Sequence, residues 1–166
     1  SLQALPANQP PPADKSGWTI RNPIDQFVLA KLKEKSLMPS KEASPTALIR
    51  RVYFNLIGLP PPPEIVERFR RSPTDEAYAE IVDELLKSPR YGERWGRHWL
   101  DVARFGETDG FERNGVRENM WHYRDWVIAA LNADMPYREF AERQLMGDLM
   151  PDSPNVTTDK RLNTIA

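Results

Sequence analysis

Apolar residues recur along this chain at helical spacing, in short stripes that begin behind prolines. Ile24, Phe27, Val28 and Leu32 fall on one face. They follow Asn22-Pro23, where asparagine suits an N-cap and proline the first helical turn. Leu48, Ile49, Val52, Tyr53 and Leu56 repeat the pattern behind Ser44-Pro45, and Gly58 with Pro60 closes it. Past the rigid elbow of residues 60–63, Ile65, Val66 and Phe69 predict a short helix. Tyr78, Ile81, Val82, Leu85 and Leu86 predict the next, opened at Thr74 with Asp75 and Glu76 at the positive end of its dipole.

Ser88-Pro89 starts a fifth helix. Tyr91, Trp95, Trp99 and Val102 are expected to share its inward face, with His98 and Ala103 at the edge, until Gly106 breaks it. Residues 107–118 have no apolar periodicity and read as an ordered loop. Asn119 is expected to cap a helix burying Met120, Tyr123, Val127, Ala130 and Leu131. Asp134 and Pro136 open the last, with Tyr137, Phe140 and Gln144 aligned and Gly147 at its end. No alternating run bounded by turn chemistry predicts a strand. The expected fold is all-α: a compact bundle of about seven short helices, joined by proline-started turns and one long ordered loop. Residues 1–17, with Pro10-Pro11-Pro12, read as a proline-rich linker, 18–150 as the helical domain, and 151–166 as a loose segment leading to a following domain.

Composition narrows the functional classes. A length of 166 residues is one domain's worth, and 40% hydrophobic with 28% charged residues is ordinary for a globular chain. A net charge of −1 argues against nucleic-acid binding through phosphate neutralisation. No apolar run is long enough to cross a bilayer. Cysteine is absent, so these residues offer no disulfide, thiolate metal site or covalent haem attachment. The chain starts at Ser1 and not at methionine, which suggests a piece of something longer, and a signal peptide, if one exists, would lie upstream.

Chemistry concentrates in residues 91–126. They hold four of the five tryptophans, both histidines, seven carboxylates and six arginines, with no lysine. A face selected for solubility alone would include lysine; arginine among carboxylates and aromatics points to fixed, planar contacts, at a site or in a buried polar network. The ligand or network candidates are Arg97, His98, Asp101, Arg104, Glu107, Asp109, Glu112, Trp121 and Arg124. Arg97 and Asp101 stand at i, i+4. Around Asp109-Gly110 an EF-hand would need ligands at Phe105 and Val116, whose side chains have none to give. An irregular calcium site and salt bridges to Arg104, Arg113, Arg117 and Arg124 both remain readings of Glu107, Asp109 and Glu112. His98 and His122 are a weak metal pair or an acid–base candidate, but His98, beside Trp95 and Trp99, reads first as a core histidine hydrogen-bonded to a carboxylate. Asp101, Glu107, Asp109 and Glu112 include possible carboxylate pairs for glycoside hydrolysis, beside rings suited to stacking on sugars. The serines Ser44, Ser72 and Ser88 are explained by helix capping. A hydrogen-bonded network of Arg104, Asp109, Glu112 and Arg124 is expected to fix the loop.

The motifs NPIDQFVLAKL, LIRRVYFNLIGLPPPPE, DELLKSPRYGERWGRHWLDVARF, ETDGFE, WHYRDWVIAALNADMPY and QLMGDL, in that order, resemble one family. It is the planctomycete cytochrome c-associated domain family, the second module of large proteins of that lineage. The resemblance covers residues 18–148. It departs at Pro62, where a threonine usually caps a helix, and at His122, where arginine is common. The resemblance implies a periplasmic or secreted setting, a cytochrome c module upstream carrying any haem, and an uncharacterised domain downstream. It assigns no catalytic residue. The expected function is an accessory or interaction domain without a cofactor of its own. The alternative is an Asp/Glu/Arg/aromatic half-site of an enzyme acting on an extracellular carbohydrate or similar polar substrate.

Overall fold

A computed structural model describes residues 9–12 and 18–149. Among the described residues there are seven α-helices, one 3-10 turn and no strand, so the fold is all-α. None of these helices is long and apolar enough to cross a membrane. The segment 151–166 and most of 1–17 lie outside the described residues. The chain divides into two compact units, residues 1–43 and 44–166.

The first unit carries α1 (Pro23–Glu34). Its start is a capping box: Asn22 Oδ1 accepts from the amides of Ile24 and Asp25, while the Asp25 carboxylate accepts from the amide of Asn22. Its end is carried by Ser36 at φ 54, with the amide of Leu37 donating to Leu32. The expected inward stripe is corrected here. Leu29 is the buried residue, whereas Ile24, Phe27 and Val28 are exposed. Phe27, Val28, Leu32 and Leu37 instead line an open groove with Lys31 and Lys35.

The second unit opens with α2 (Pro45–Leu56), α3 (Pro63–Arg71) and α4 (Asp75–Leu86). Ser44 and Thr74 cap α2 and α4 through their hydroxyls, as the sequence predicts. Pro62 at the cap of α3 offers no side-chain bond, so that helix starts on backbone geometry alone. Ile49, Val52, Tyr53, Phe69, Ile81 and Leu85 form the core of these three helices, with Ile65 and Val66 packed against it. Burying side chains of this size stabilises by roughly 1.5–3 kcal/mol each.

Then come α5 (Pro89–Val102), α6 (Trp121–Asn132) and α7 (Tyr137–Met146), followed by a 3-10 turn at Gly147–Leu149. Val127, Ala130 and Phe140 make a second core, covered by Trp99, Leu100, Tyr123, Trp126, Leu131 and Met135. Phe140 meets Trp99 edge-on at 4.8 Å and stacks on Trp126 at 5.1 Å. α5 reaches α6 through Gly92 and Gly96, both buried. A methyl group on Gly92 would stand 2.7 Å from the Asn132 side chain and closer still to the Ile128 carbonyl. One on Gly96 would press Ile128 at 3.3 Å. The two glycines therefore set the helix separation.

That packing corrects the expected face of α5. Gly92, Gly96 and Trp99 turn to α6, while Trp95 and Val102 stay exposed. The start of α6 also differs from expectation. Its cap is Met120 in helical geometry, without a side-chain bond, and Asn119 supplies only its carbonyl, to the amide of His122. At α7, Phe140 is buried as expected but Tyr137 is exposed.

Candidate functional site

The expected loop between α5 and α6 is a short tongue held by paired backbone. α5 does not wait for Gly106 to end. Arg104 takes the left-handed conformation at φ 56, and the amide of Phe105 donates to the Leu100 carbonyl. Beyond it, the amide of Arg117 donates to Glu107, that of Asp109 to Gly115 and that of Asn114 to Gly110. Thr108 and Val116 form an isolated antiparallel bridge. Gly110, at φ 91, allows the turn.

Side chains fix the base of the tongue on the second core. The Phe105 ring lies 6.0 Å from that of Tyr123. The Tyr123 hydroxyl accepts from Trp99 Nε1 at 3.0 Å and donates to Gln144 Oε1 at 2.6 Å, joining α5, α6 and α7. Arg124 donates to Glu107 on the tongue and to its own neighbour Asp125. Asp109 faces Arg117 at 4.0 Å.

The candidate residues thus divide. Glu107 and Arg124 come together, and Asp109 joins the tongue's own cross-links. The expected network of Arg104, Asp109, Glu112 and Arg124 does not form as such. Arg124 chooses Glu107, and among the described residues Arg104 and Glu112 have no ion-pair partner within 4.0 Å. Nor do Arg97 and Asp101 pair, despite their i, i+4 spacing. No polar or charged residue among those described is buried, so these pairs are surface pairs and not a buried network. His98 packs at 5.3 Å from Trp95, and Trp121 stacks on His122 at 3.6 Å. Among the described residues no group of three or more acids and histidines is placed to hold a metal ion.

What the sequence reading missed is the tip. Phe111 there is fully exposed and Val116, back along the tongue, is 76% exposed, while the expected candidate Trp121 at the start of α6 is 45% exposed. Aromatic and branched apolar side chains on a structured projection are unusual without a partner. Phe111 stands between Gly110 and Glu112 without helical periodicity, and that isolation between turn-forming residues was the available signal.

Comparison with known proteins gives one match. The family model PSCyt2, described as a protein of unknown function (DUF1549), covers residues 23–165. No curated protein and no solved structure matches significantly.

Proposed function

The chain belongs to the PSCyt2 family of cytochrome c-associated domains of unknown function, and within that family we propose that it serves as a docking domain. It acts in a multidomain protein of the periplasm or the secreted space, against neighbouring modules of the same polypeptide. Any haem resides on a separate cytochrome c module, because this chain has no cysteine to attach one. The observation that carries the reading is the braced tongue. Arginine-bound Glu107 and the Tyr123-anchored Phe105 hold its base, while Phe111 projects without contact. Carboxylates committed to arginine fit a rigid mounting better than acid–base chemistry, for which one group must be free to exchange protons.

The test is site-specific photocrosslinking in the full-length protein made by its own host. A photoreactive phenylalanine analogue at position 111 is expected to give one dominant adduct, elsewhere in the same polypeptide or on one partner. Glu80, on the exposed side of α4, is the control position. Adducts from position 111 no stronger than those from position 80 overturn the proposal.

A second reading is favoured by Asp101, which has no ion-pair partner within 4.0 Å among the described residues and shares α5 with the exposed rings of Trp95 and His98. Such a surface suits a polar, sugar-like ligand and half of an enzyme site. Titration of tryptophan fluorescence with oligosaccharides tests it. Saturable quenching abolished by Trp95→Ala supports this reading, and an unchanged spectrum removes it.

A further inference from the structure

Helix α5 has a second face that is only partly covered within its own unit, where the stem of Arg94 lies against Gly58. Tyr91, Trp95, His98 and Val102 follow one another at steps of four, three and four residues, the spacing of a helix–helix seam. Trp95 is 40% and Val102 73% exposed, and His98 is exposed. The rings along the stripe already touch one another, Tyr91 with Trp95 at 6.1 Å and Trp95 with His98 at 5.3 Å, which gives a continuous ridge. On one side the ridge is bounded by Gly92, Gly96 and Trp99, which are taken by α6. On the other side stand Arg94 and Asp101, seven residues apart and neither in an ion pair among the described residues. Arg94 also has a covered Nε without an acceptor.

We propose that this face pairs with a second copy of the chain, α5 against α5 in antiparallel orientation about a two-fold axis. The seam is self-complementary in that sense. Trp95 lies beside the partner's His98, and Tyr91 beside the partner's Val102. The same axis brings Arg94 to the partner's Asp101, and Asp101 to the partner's Arg94. Two opposite-charge contacts thus form for each dimer, where a parallel pair would give these charges no partner. The charges select a second copy over an unrelated helix, because a single stripe supplies both halves of the contact. One helix pair makes a small interface, so the affinity belongs in the micromolar range, about 1–100 μM. This face is distinct from the tongue, and the inference stands whether or not the tongue docks.

Sedimentation equilibrium of the chain over a range of concentrations tests it. A monomer–dimer equilibrium is expected, with Val102→Glu abolishing the dimer. Asp101→Arg and Arg94→Glu should each raise the dissociation constant by about tenfold or more, and the double variant should regain most of that loss. Circular dichroism checks that each variant remains helical. Val102 is exposed enough that its substitution keeps the test decisive even where Arg94→Glu unfolds. A chain that is monomeric up to about 1 mM overturns the proposal. So does a dimer that survives Val102→Glu, or one whose charge reversals do not compensate each other.

Discussion

Asn132 holds the first turn of α5 at two points, accepting from the amide of Gly92 at 2.7 Å and donating to the carbonyl of Pro89 at 3.0 Å. One side chain at the end of α6 thereby satisfies a donor and an acceptor at the start of α5. The contact requires Gly92 to have no side chain. The tongue hangs from the other ends of these two helices, so their separation also sets the geometry of its base.

Gly92→Ala should therefore be among the most damaging single substitutions in the chain. The added methyl group meets the Asn132 side chain and the Ile128 carbonyl, and the carbonyl does not yield without moving a helix. Overpacking of this kind costs about 1–3 kcal/mol, with the lost hydrogen bond adding to it. Asn132→Ala should cost about 1–2 kcal/mol, and Asn132→Asp less, since aspartate keeps the acceptor and loses the donor. Denaturant unfolding of the three variants gives the ranking. Equal stability of Gly92→Ala and the parent would show that α5 and α6 do not approach as closely as described.

Arg104→Gly should act in the opposite direction. Arg104 occupies a left-handed conformation that costs an L-residue about 1 kcal/mol, and it has no ion-pair partner within 4.0 Å among the described residues to offset that strain. Glycine adopts the conformation freely but is more flexible when unfolded, which offsets much of the relief and leaves a net gain of roughly 0.5 kcal/mol or less. A rise in the thermal midpoint is the expected readout, and a fall would mean that Arg104 makes an interaction worth more than its strain. Ser36 and Asp134 take the same conformation after α1 and α6, so this mode of helix ending recurs in the chain.

The recurrence explains which parts of the fold were legible in the sequence. Proline starts and hydroxyl caps act within one turn, so Asn22, Ser44, Thr74 and Ser88 announced their helices correctly. Helix ends were less visible, because Ser36, Arg104 and Asp134 carry no glycine signal. The choice of buried face was legible where one stripe was clearly apolar, as in α2 and in α4 apart from Leu86, which is exposed. It failed on α5, where aromatics lie on both sides and the two glycines decided which side meets α6. The partners of the arginines were illegible for a related reason: several carboxylates stand within reach in sequence, and the backbone pairing of the tongue selected Glu107 for Arg124.

The half-exposed pair of Glu107 and Arg124 should contribute little to global stability, about 0.5–1 kcal/mol, because solvent screens it. Its effect should appear locally. Glu107→Ala is expected to speed hydrogen exchange at the amides of Asp109 and Arg117 by about two- to fivefold, since both donate across the tongue. Asp109→Ala should cost about 0.5 kcal/mol or less, given a partner at 4.0 Å and an exposed carboxylate. A large global loss in either variant would place these acids in a more buried network than the one observed.

Tyr53 provides a test in pH. It sits in the first core at 8% exposure, and burial, reinforced by the nearby Glu84 carboxylate, pushes its phenol above the ordinary value of 10.0. The folded state therefore holds the proton more tightly than the unfolded state. Stability from this source is complete below the unfolded pKa and declines as pH rises from about 10 through the folded pKa. Tyr53→Phe removes the titrating group and keeps the ring in the core. The variant should lose less stability between about pH 9.5 and 11 than the parent does, in urea unfolding measured at matched ionic strength. Lysines and other tyrosines titrate in the same window in both proteins, so the quantity that decides is the difference in slope. Parallel slopes would show that the Tyr53 hydroxyl ionises as readily in the folded chain as in the unfolded one, and that the first core admits water around it.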